Sequence, residues 1–95
     1  MSEEETTIYV GRKPPTNYVM AVVTAFNVSN AKQIVLKARG RAISTAVDVA
    51  EIARRQFLKD VEIDKIEIGS EDIQVKEENR TRTVPTIEIT LKRSS

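Results

Sequence analysis

Two short stretches carry the residues best suited to chemistry. Lys37-Ala38-Arg39-Gly40-Arg41-Ala42-Ile43-Ser44 places three cations around one glycine, and Gly11-Arg12-Lys13-Pro14-Pro15 places two cations directly after another. Lysine and arginine grip phosphate oxygens through charge-assisted hydrogen bonds. Glycine allows a tight bend, or a close approach of backbone to a ligand. The chemistry these residues support is anion binding, with phosphate as the natural target. Each stretch alone reads equally well as a solvated turn whose cations keep the protein soluble. The choice depends on whether the fold brings the two together.

The flanking residues predict that it does. Thr7-Ile8-Tyr9-Val10 is short and β-prone and forms a first strand that breaks at Gly11. Proline is tolerated in the first turn of a helix, so Pro15 or Thr16 opens one that runs to about Val28 and ends at Ser29-Asn30. Lys32 to Lys37, built on Ile34-Val35-Leu36, is a second strand, and Ala42 to Phe57 a second helix. Strand, helix and strand of this length form a right-handed unit with parallel strands. Both strand-to-helix turns then leave from one edge of the sheet. Unpaired N–H groups and the positive dipole end at each helix start add to the attraction for an anion. Arg12, Lys13, Arg39 and Arg41 are the candidate contacts, with Gly40 shaping the second turn and Lys37 leading into it.

The apolar residues of the first helix, Tyr18, Val19, Ala21, Val22, Val23, Ala25, Phe26 and Val28, spread over more than half its circumference. A helix on one sheet face needs a stripe of roughly 100°, so the excess calls for the second helix and a second copy of the chain. In the second helix, Ala42, Ile43, Ala46, Val47, Val49, Ala50, Ala53 and Phe57 share one arc, while Ile52 points away with Thr45 and Asp48. Val61 to Val75 and Thr81 to Lys92 read as a hairpin through Lys76-Glu77-Glu78-Asn79-Arg80. Breaks in alternation predict bulges near Asp64 and Gly69, and Pro85 predicts an edge or bulge. Ile66 and Ile89 are expected to pack on the helices. The outer part, about residues 72–84, has little to bury and reads as a projecting arm, with Arg80 and Arg82 on one face of it.

Composition excludes several classes. The 95-residue chain has no cysteine and no histidine, which removes disulfides, thiolate metal sites, and the commonest general base and metal ligand. No metal, no cofactor and no catalytic residue is expected: Ser44 has no evident base, and Asp48 and Glu51 face solvent. No apolar run approaches the ~20 residues that span a bilayer. The acidic, polar start, residues 1–6, is unlike a signal peptide and reads as a disordered tail. A soluble, cytoplasmic protein is the expectation, with residues 7–93 forming its single domain. The net charge is only +1, yet all acids lie outside Thr6 to Val47, a span holding Arg12, Lys13, Lys32, Lys37, Arg39 and Arg41. A segregated basic patch attracts polyanions whatever the total charge.

The order βαβαββ, with Gly11-Arg12-Lys13-Pro14, Asn17-Tyr18-Val19, Lys37 to Ser44 followed by Ala46-Val47-Asp48, and Thr86-Ile87-Glu88-Ile89, closely resembles the Alba family of archaeal chromatin proteins. The resemblance runs from about Ile8 to Lys92. It implies an α+β two-layer sandwich like the C-terminal domain of bacterial translation initiation factor three, with a protruding hairpin. It implies a homodimer, or a heterodimer with a paralogue, that binds double-stranded DNA and also RNA with little sequence preference, associated with the chromosome. By position, Arg12 and Lys13 match the family's first basic pair, near the dimer axis. Arg39 and Arg41 match its second basic loop, and Asn17 and Tyr18, in its Asn-Tyr-Val stretch, are counted with Lys37 and Gly40 among the nucleic-acid-binding residues that the resemblance implies. The hairpin from Lys76 to Thr83, with Arg80 and Arg82, matches arms proposed to follow the minor groove. Phe57 matches an aromatic used where dimers pack against dimers on DNA. The family often has an acetylatable lysine first in the basic pair; Arg12 cannot be acetylated, which leaves Lys13.

The leading expectation is a sequence-independent protein that coats and condenses double-stranded DNA through phosphates, which position a protein without specifying sequence. The alternative is a module acting mainly on structured RNA, recognised by backbone and shape. Only Tyr9, Tyr18, Phe26 and Phe57 are aromatic, and most are expected in core or interface, which argues against a stacking platform for single strands. An enzyme gripping a phosphorylated small molecule lacks a base, and a protein-only scaffold leaves the basic turns unexplained.

Overall fold

The computed structural model describes residues 5–94. Strands β1 (Glu5–Tyr9), β2 (Gln33–Arg39), β3 (Val61–Val75) and β4 (Arg80–Arg93) form one sheet, with helices α1 (Pro15–Asn27) and α2 (Ala42–Ile52) on one face. The strand order is β1-β2-β4-β3. β1 pairs parallel with β2, and β4 pairs antiparallel with both β2 and β3. This is the expected α+β, βαβαββ architecture.

Local chemistry explains the element ends. Pro15 occupies the first turn of α1, where its missing N–H costs nothing. Asn30 takes a left-handed φ of 59° just after that helix. Gly40 sits at φ 59° between β2 and α2, a conformation that disfavours any residue with a Cβ, although no neighbouring atom fills the space. β1 begins earlier than the sequence predicts, because Glu5 and Thr6 pair with Gln33 and Ile34. The rest of the expected acidic tail, residues 1–4, lies outside the described residues.

The core lies between helices and sheet. Val19, Val22 and Phe26 of α1 and Ala46, Val49 and Ala50 of α2 meet Ile34 and Leu36 of β2 and Ile87, Ile89 and Leu91 of β4. Fully burying each large apolar side chain contributes about 1.5–3 kcal/mol.

Five expectations need correction. Ile89 is buried, but its partner Ile66 is exposed, and Ile68 is 82% exposed. The helices pack over β2 and β4 and cover only the start of the edge strand β3, where Val61 is buried and Ile63 packs on the core. Val47 is exposed rather than buried, while Ile52 is partly buried against the core. Phe57 leaves the buried arc because Ala53–Phe57 is a π-helical turn, with the Leu58 N–H donating to the Ala53 carbonyl. That wider turn shifts the register, so Leu58 is buried and Phe57 stays 49% exposed. Of the two bulges expected, the register shift falls at Asp64, between Ile63 and Lys65, while Gly69 pairs regularly with Thr86. Pro85 lies just past the last β2 partner of β4, Thr86, so it faces an edge there as expected.

One end of the molecule is tied shut. The Arg93 guanidinium donates to the Phe26 carbonyl at 3.1 Å and to Asn27 Oδ1 at 2.8 Å, pairs with Asp60, and lies 5.4 Å from the Phe26 ring centroid. A cation at the C-terminus of α1 also complements its dipole. Arg93→Ala should therefore lower the unfolding free energy by about 2 kcal/mol, or about 10 °C in midpoint. Arg82→Ala, at an exposed position, should cost less than about 0.5 kcal/mol. Paired thermal melts check this, and equal losses would refute the staple.

Candidate nucleic-acid interface

The opposite end is where both strand-to-helix turns emerge. Parallel pairing sets Tyr9 beside Lys37, so the chain leaves β1 and β2 in the same direction. The Val10 N–H donates to the Lys37 carbonyl and closes the space between them. One groove at this end is lined by Val10, Gly11, Arg12, Lys13, Arg39, Arg41, Ala42, Thr45 and Arg82. Its charged residues are all cations. Arg12, Lys13, Arg41 and Arg82 are exposed and make no ion pair with a described residue. Neither helix start has a side-chain cap; in α2 the Ile43 N–H donates to the Gly40 carbonyl, and no side chain caps the rest of the first turn. Fixed cations beside open N–H groups make an anion-binding surface.

The predicted residues separate into those that share this groove and those that do not. Arg12, Lys13, Arg39, Arg41 and Arg82 share it, although Arg82 was expected on the arm rather than at its base. Arg80 stands at the hairpin turn and pairs with Glu78. Lys37 is on the open face of the sheet, 3.7 Å from Glu88. Arg39 also reaches that face, 3.2 Å from Glu71, so it lies between the groove and the sheet. Asn17 is exposed in the first turn of α1, its N–H given to the Pro14 carbonyl. Gly40 contributes through its backbone turn, which is held by its N–H donating to the Pro85 carbonyl at 2.9 Å. Phe57 lies at the far end of α2, away from the groove. Thr45 was missed, though its place four residues after Arg41 puts it on the same helical face.

Tyr18 has a different part from the phosphate ligands. Its hydroxyl oxygen accepts hydrogen bonds from the N–H of Gly11 at 3.0 Å and of Lys13 at 3.1 Å. The ring is packed against the core and the hydroxyl holds the first basic turn from behind. Tyr18 thus orients Arg12 and Lys13.

The open face of the sheet is chemically unlike the groove. Lys92 pairs with Asp64 at 3.4 Å and Lys65 with Glu67 at 3.9 Å, beside the Lys37–Glu88 and Arg39–Glu71 pairs. A polyanion would meet carboxylates there, whereas the charged residues lining the groove at the end of the sheet are all cations. Beyond Thr86, β4 pairs only with β3, and this hairpin brings Arg82 to the groove. No helix among the described residues is long and apolar enough to cross a membrane, and no acidic cluster suited to a metal ion occurs among them.

A family model described as Alba matches residues 6–70, ending where the hairpin leaves the sheet. A protein of Methanocella arvoryzae named DNA/RNA-binding protein Alba is 53% identical over 90 residues, covering 95% of this chain and 92% of its own length. The protein of the same name from Thermoplasma acidophilum is 51% identical over 90 residues, covering 95% of this chain and 98% of its own. The solved structure of Alba from Thermoplasma volcanium superposes with a TM-score of 0.85 at 50% identity, covering 92% of this chain and 99% of that one. An Alba protein of Trypanosoma brucei, at 23% identity and a TM-score of 0.73, shares the fold, over 98% of this chain and 71% of that one.

The Tyr18 clamp has a direct readout. In Tyr18→Phe, amide exchange at Gly11 and Lys13 should accelerate about 5- to 10-fold, since each net hydrogen bond contributes about 1 kcal/mol. Amides in β4 should be unaffected. Unchanged exchange at Gly11 and Lys13 would mean that the hydroxyl does not hold the turn.

Proposed function

Because the chain belongs to the Alba family, we propose that it binds nucleic acid, and that it coats and compacts double-stranded DNA as a dimer without sequence preference. Its relatives are named for binding DNA and RNA rather than for catalysis. The observation that carries the proposal is the groove in which Arg12, Lys13, Arg39, Arg41 and Arg82 converge without a lining carboxylate. Side chains of this kind hold backbone phosphates, which repeat along any duplex and carry no sequence information. The role is cytoplasmic and chromosome-associated, and Lys13 is the side chain in the first basic pair whose charge acetylation would remove. A-form RNA presents phosphates to the same groove, and competition between matched DNA and RNA duplexes ranks the two targets.

The uncovered face of β3 supports the dimer. Ile66 and Ile68 are exposed together on the helix side of the edge strand, a better candidate for the contact than α1, where the exposed Met20 and Val28 lie far apart in sequence. A partner seated there would remove two apolar side chains from water and double the phosphate contacts. A paralogue with a similar edge would serve as well. Phe57, exposed at the end of α2, is then free for packing between dimers on DNA, and the hairpin for reaching along the groove of the duplex. Sedimentation tests both contacts. The wild type should be a dimer, and Ile66→Glu with Ile68→Glu should give a monomer near 10.7 kDa. Phe57→Ala should leave the free dimer intact and reduce only larger assemblies on long DNA. A wild type that sediments as a monomer at micromolar concentration would end the dimer proposal.

Salt dependence tests the groove. If about six phosphates are neutralised per dimer, log K should fall against log salt with a slope near −5, at about −0.9 per contact. Arg41→Ala removes up to two contacts per dimer and should flatten the slope by roughly 1 to 2. The loss should be equal across unrelated duplex sequences. An unchanged slope would place Arg41 away from phosphates, and a loss confined to some sequences would make it a base reader.

A further inference from the structure

The open face of the sheet holds a second groove, lined by Tyr9, Val10, Lys37, Ala38, Arg39, Ser70, Glu71, Thr86, Ile87 and Glu88. It shares Val10 and Arg39 with the basic groove, so the two are continuous around the end of β2. We propose that this sheet-face groove is a subsite for an unpaired nucleobase, stacked on Tyr9, whose backbone phosphate sits on Arg39. The proposal rests on the nucleic-acid-binding reading above and extends it to single-stranded ends and unpaired nucleotides.

Three observations carry it. Tyr9 is the most exposed of the four aromatics: it is 72% exposed at the end of β1, against 49% for Phe57, which lies at the far end of the molecule from the basic groove. Every base offers a π-face to such a ring. The second observation is the division of charge. The basic groove suits phosphate, while the sheet-face groove places Glu71 and Glu88 beside Tyr9 and Lys37. Those carboxylates repel phosphate, but each retains lone pairs beyond its ion pair, and the amino groups of guanine, adenine and cytosine donate to such acceptors. Thymine and uracil lack that amino group; their one edge donor, N3–H, is flanked by carbonyl oxygens that a carboxylate repels, so they fit less well. The third is space. Neighbouring strands lie about 4.8 Å apart, so Tyr9 and Glu88 stand about 10 Å apart across Lys37, which reaches toward Glu88 at 3.7 Å, and a base stacked on Tyr9 would lie over the Lys37 stem. Gly69 opposite Thr86 adds no side chain to the floor. Two adjoining grooves thus match the two halves of a nucleotide, with Arg39 at the junction.

The test compares binding to a blunt DNA duplex, the same duplex with a single-stranded DNA overhang of adenine and guanine, and the same duplex with an RNA overhang. The wild type should bind one or both overhang forms more tightly than the blunt form, and the better arm identifies the source of the base. Tyr9→Ala should weaken binding of the favoured overhang by about 5- to 100-fold, the range for loss of one stacked base, and leave the blunt duplex unchanged. The chain contains no tryptophan, so Tyr9→Trp supplies a single fluorophore whose emission the overhang should quench while the blunt duplex does not. Equal effects of Tyr9→Ala on all three ligands, or no advantage for any overhang, would overturn the subsite while leaving duplex binding standing. Failure of the wild type to bind the blunt duplex would instead count against the parent reading. Quenching of the Tyr9→Trp variant by the free overhang strand would still decide the subsite.

Discussion

Parallel pairing of β1 with β2 is the constraint from which the site follows. A parallel pair cannot be closed by a tight turn, so α1 must cross over between the strands, and the crossover is right-handed. Both strands then end at the same edge, and each hands the chain to a helix there. Gly11-Arg12-Lys13 and Arg39-Gly40-Arg41 are distant in sequence but become neighbours in one groove. The backbone ties make that neighbourhood rigid: Val10 bonds to Lys37, Gly40 to Pro85, and the Tyr18 hydroxyl accepts from the first turn. Arg12, Lys13 and Arg41 are thus carried on turns, and Arg39 and Arg82 on strands, whose backbones are hydrogen-bonded.

Charge is distributed in a way that stability alone does not require. On the open sheet face, cations alternate with carboxylates in exposed pairs, each of which contributes at most about 1 kcal/mol. In the groove, cations converge with no carboxylate among the lining residues, and their mutual repulsion is unfavourable in the free protein. A polyanion relieves that repulsion, so occupancy of the groove also stabilises the native state by mass action. Arg39 belongs to both regions, and a phosphate there must compete with Glu71 at 3.2 Å.

Much of the fold was legible in the residues. Proline at the start of α1, glycine at the start of α2 and the clean alternation of Ile87, Ile89 and Leu91 placed the elements, because these signals are local. The misjudged positions depend on longer-range geometry. Ile66 has the same local pattern as its neighbour Ile89, and only the reach of the helices decides that one is exposed and the other buried. Phe57 sits on an apolar arc if the helix keeps its period, but the π-helical turn changes the period at Ala53. In the site, spacing identified which turns were basic but not where their side chains point. Lys37 and Arg39 face the open sheet because alternation along β2 is fixed by Ile34 and Leu36 entering the core. The hydroxyl of Tyr18 had no sequence signal at all, since its partners are backbone groups.

The two ends of the sheet divide the work of the molecule. At one end, Arg93 joins the C-terminus of α1, the turn before β3 and the last residues of β4 through hydrogen bonds and a ring contact. At the other, the helices start without side-chain caps, and of the groove cations only Arg39 has a carboxylate partner among the described residues. Capping groups and carboxylates at the second end would raise stability but would occupy the same N–H groups and cations that a phosphate needs. The fold can leave that end unsatisfied because Val19, Val22, Phe26, Ile34, Leu36, Ile89 and Leu91 form a core that does not depend on it. On the proposed reading, substitutions in the groove should act on binding with little effect on folding, and substitutions at the Arg93 end should do the reverse. This separation follows from running parallel strands into helices at a single edge.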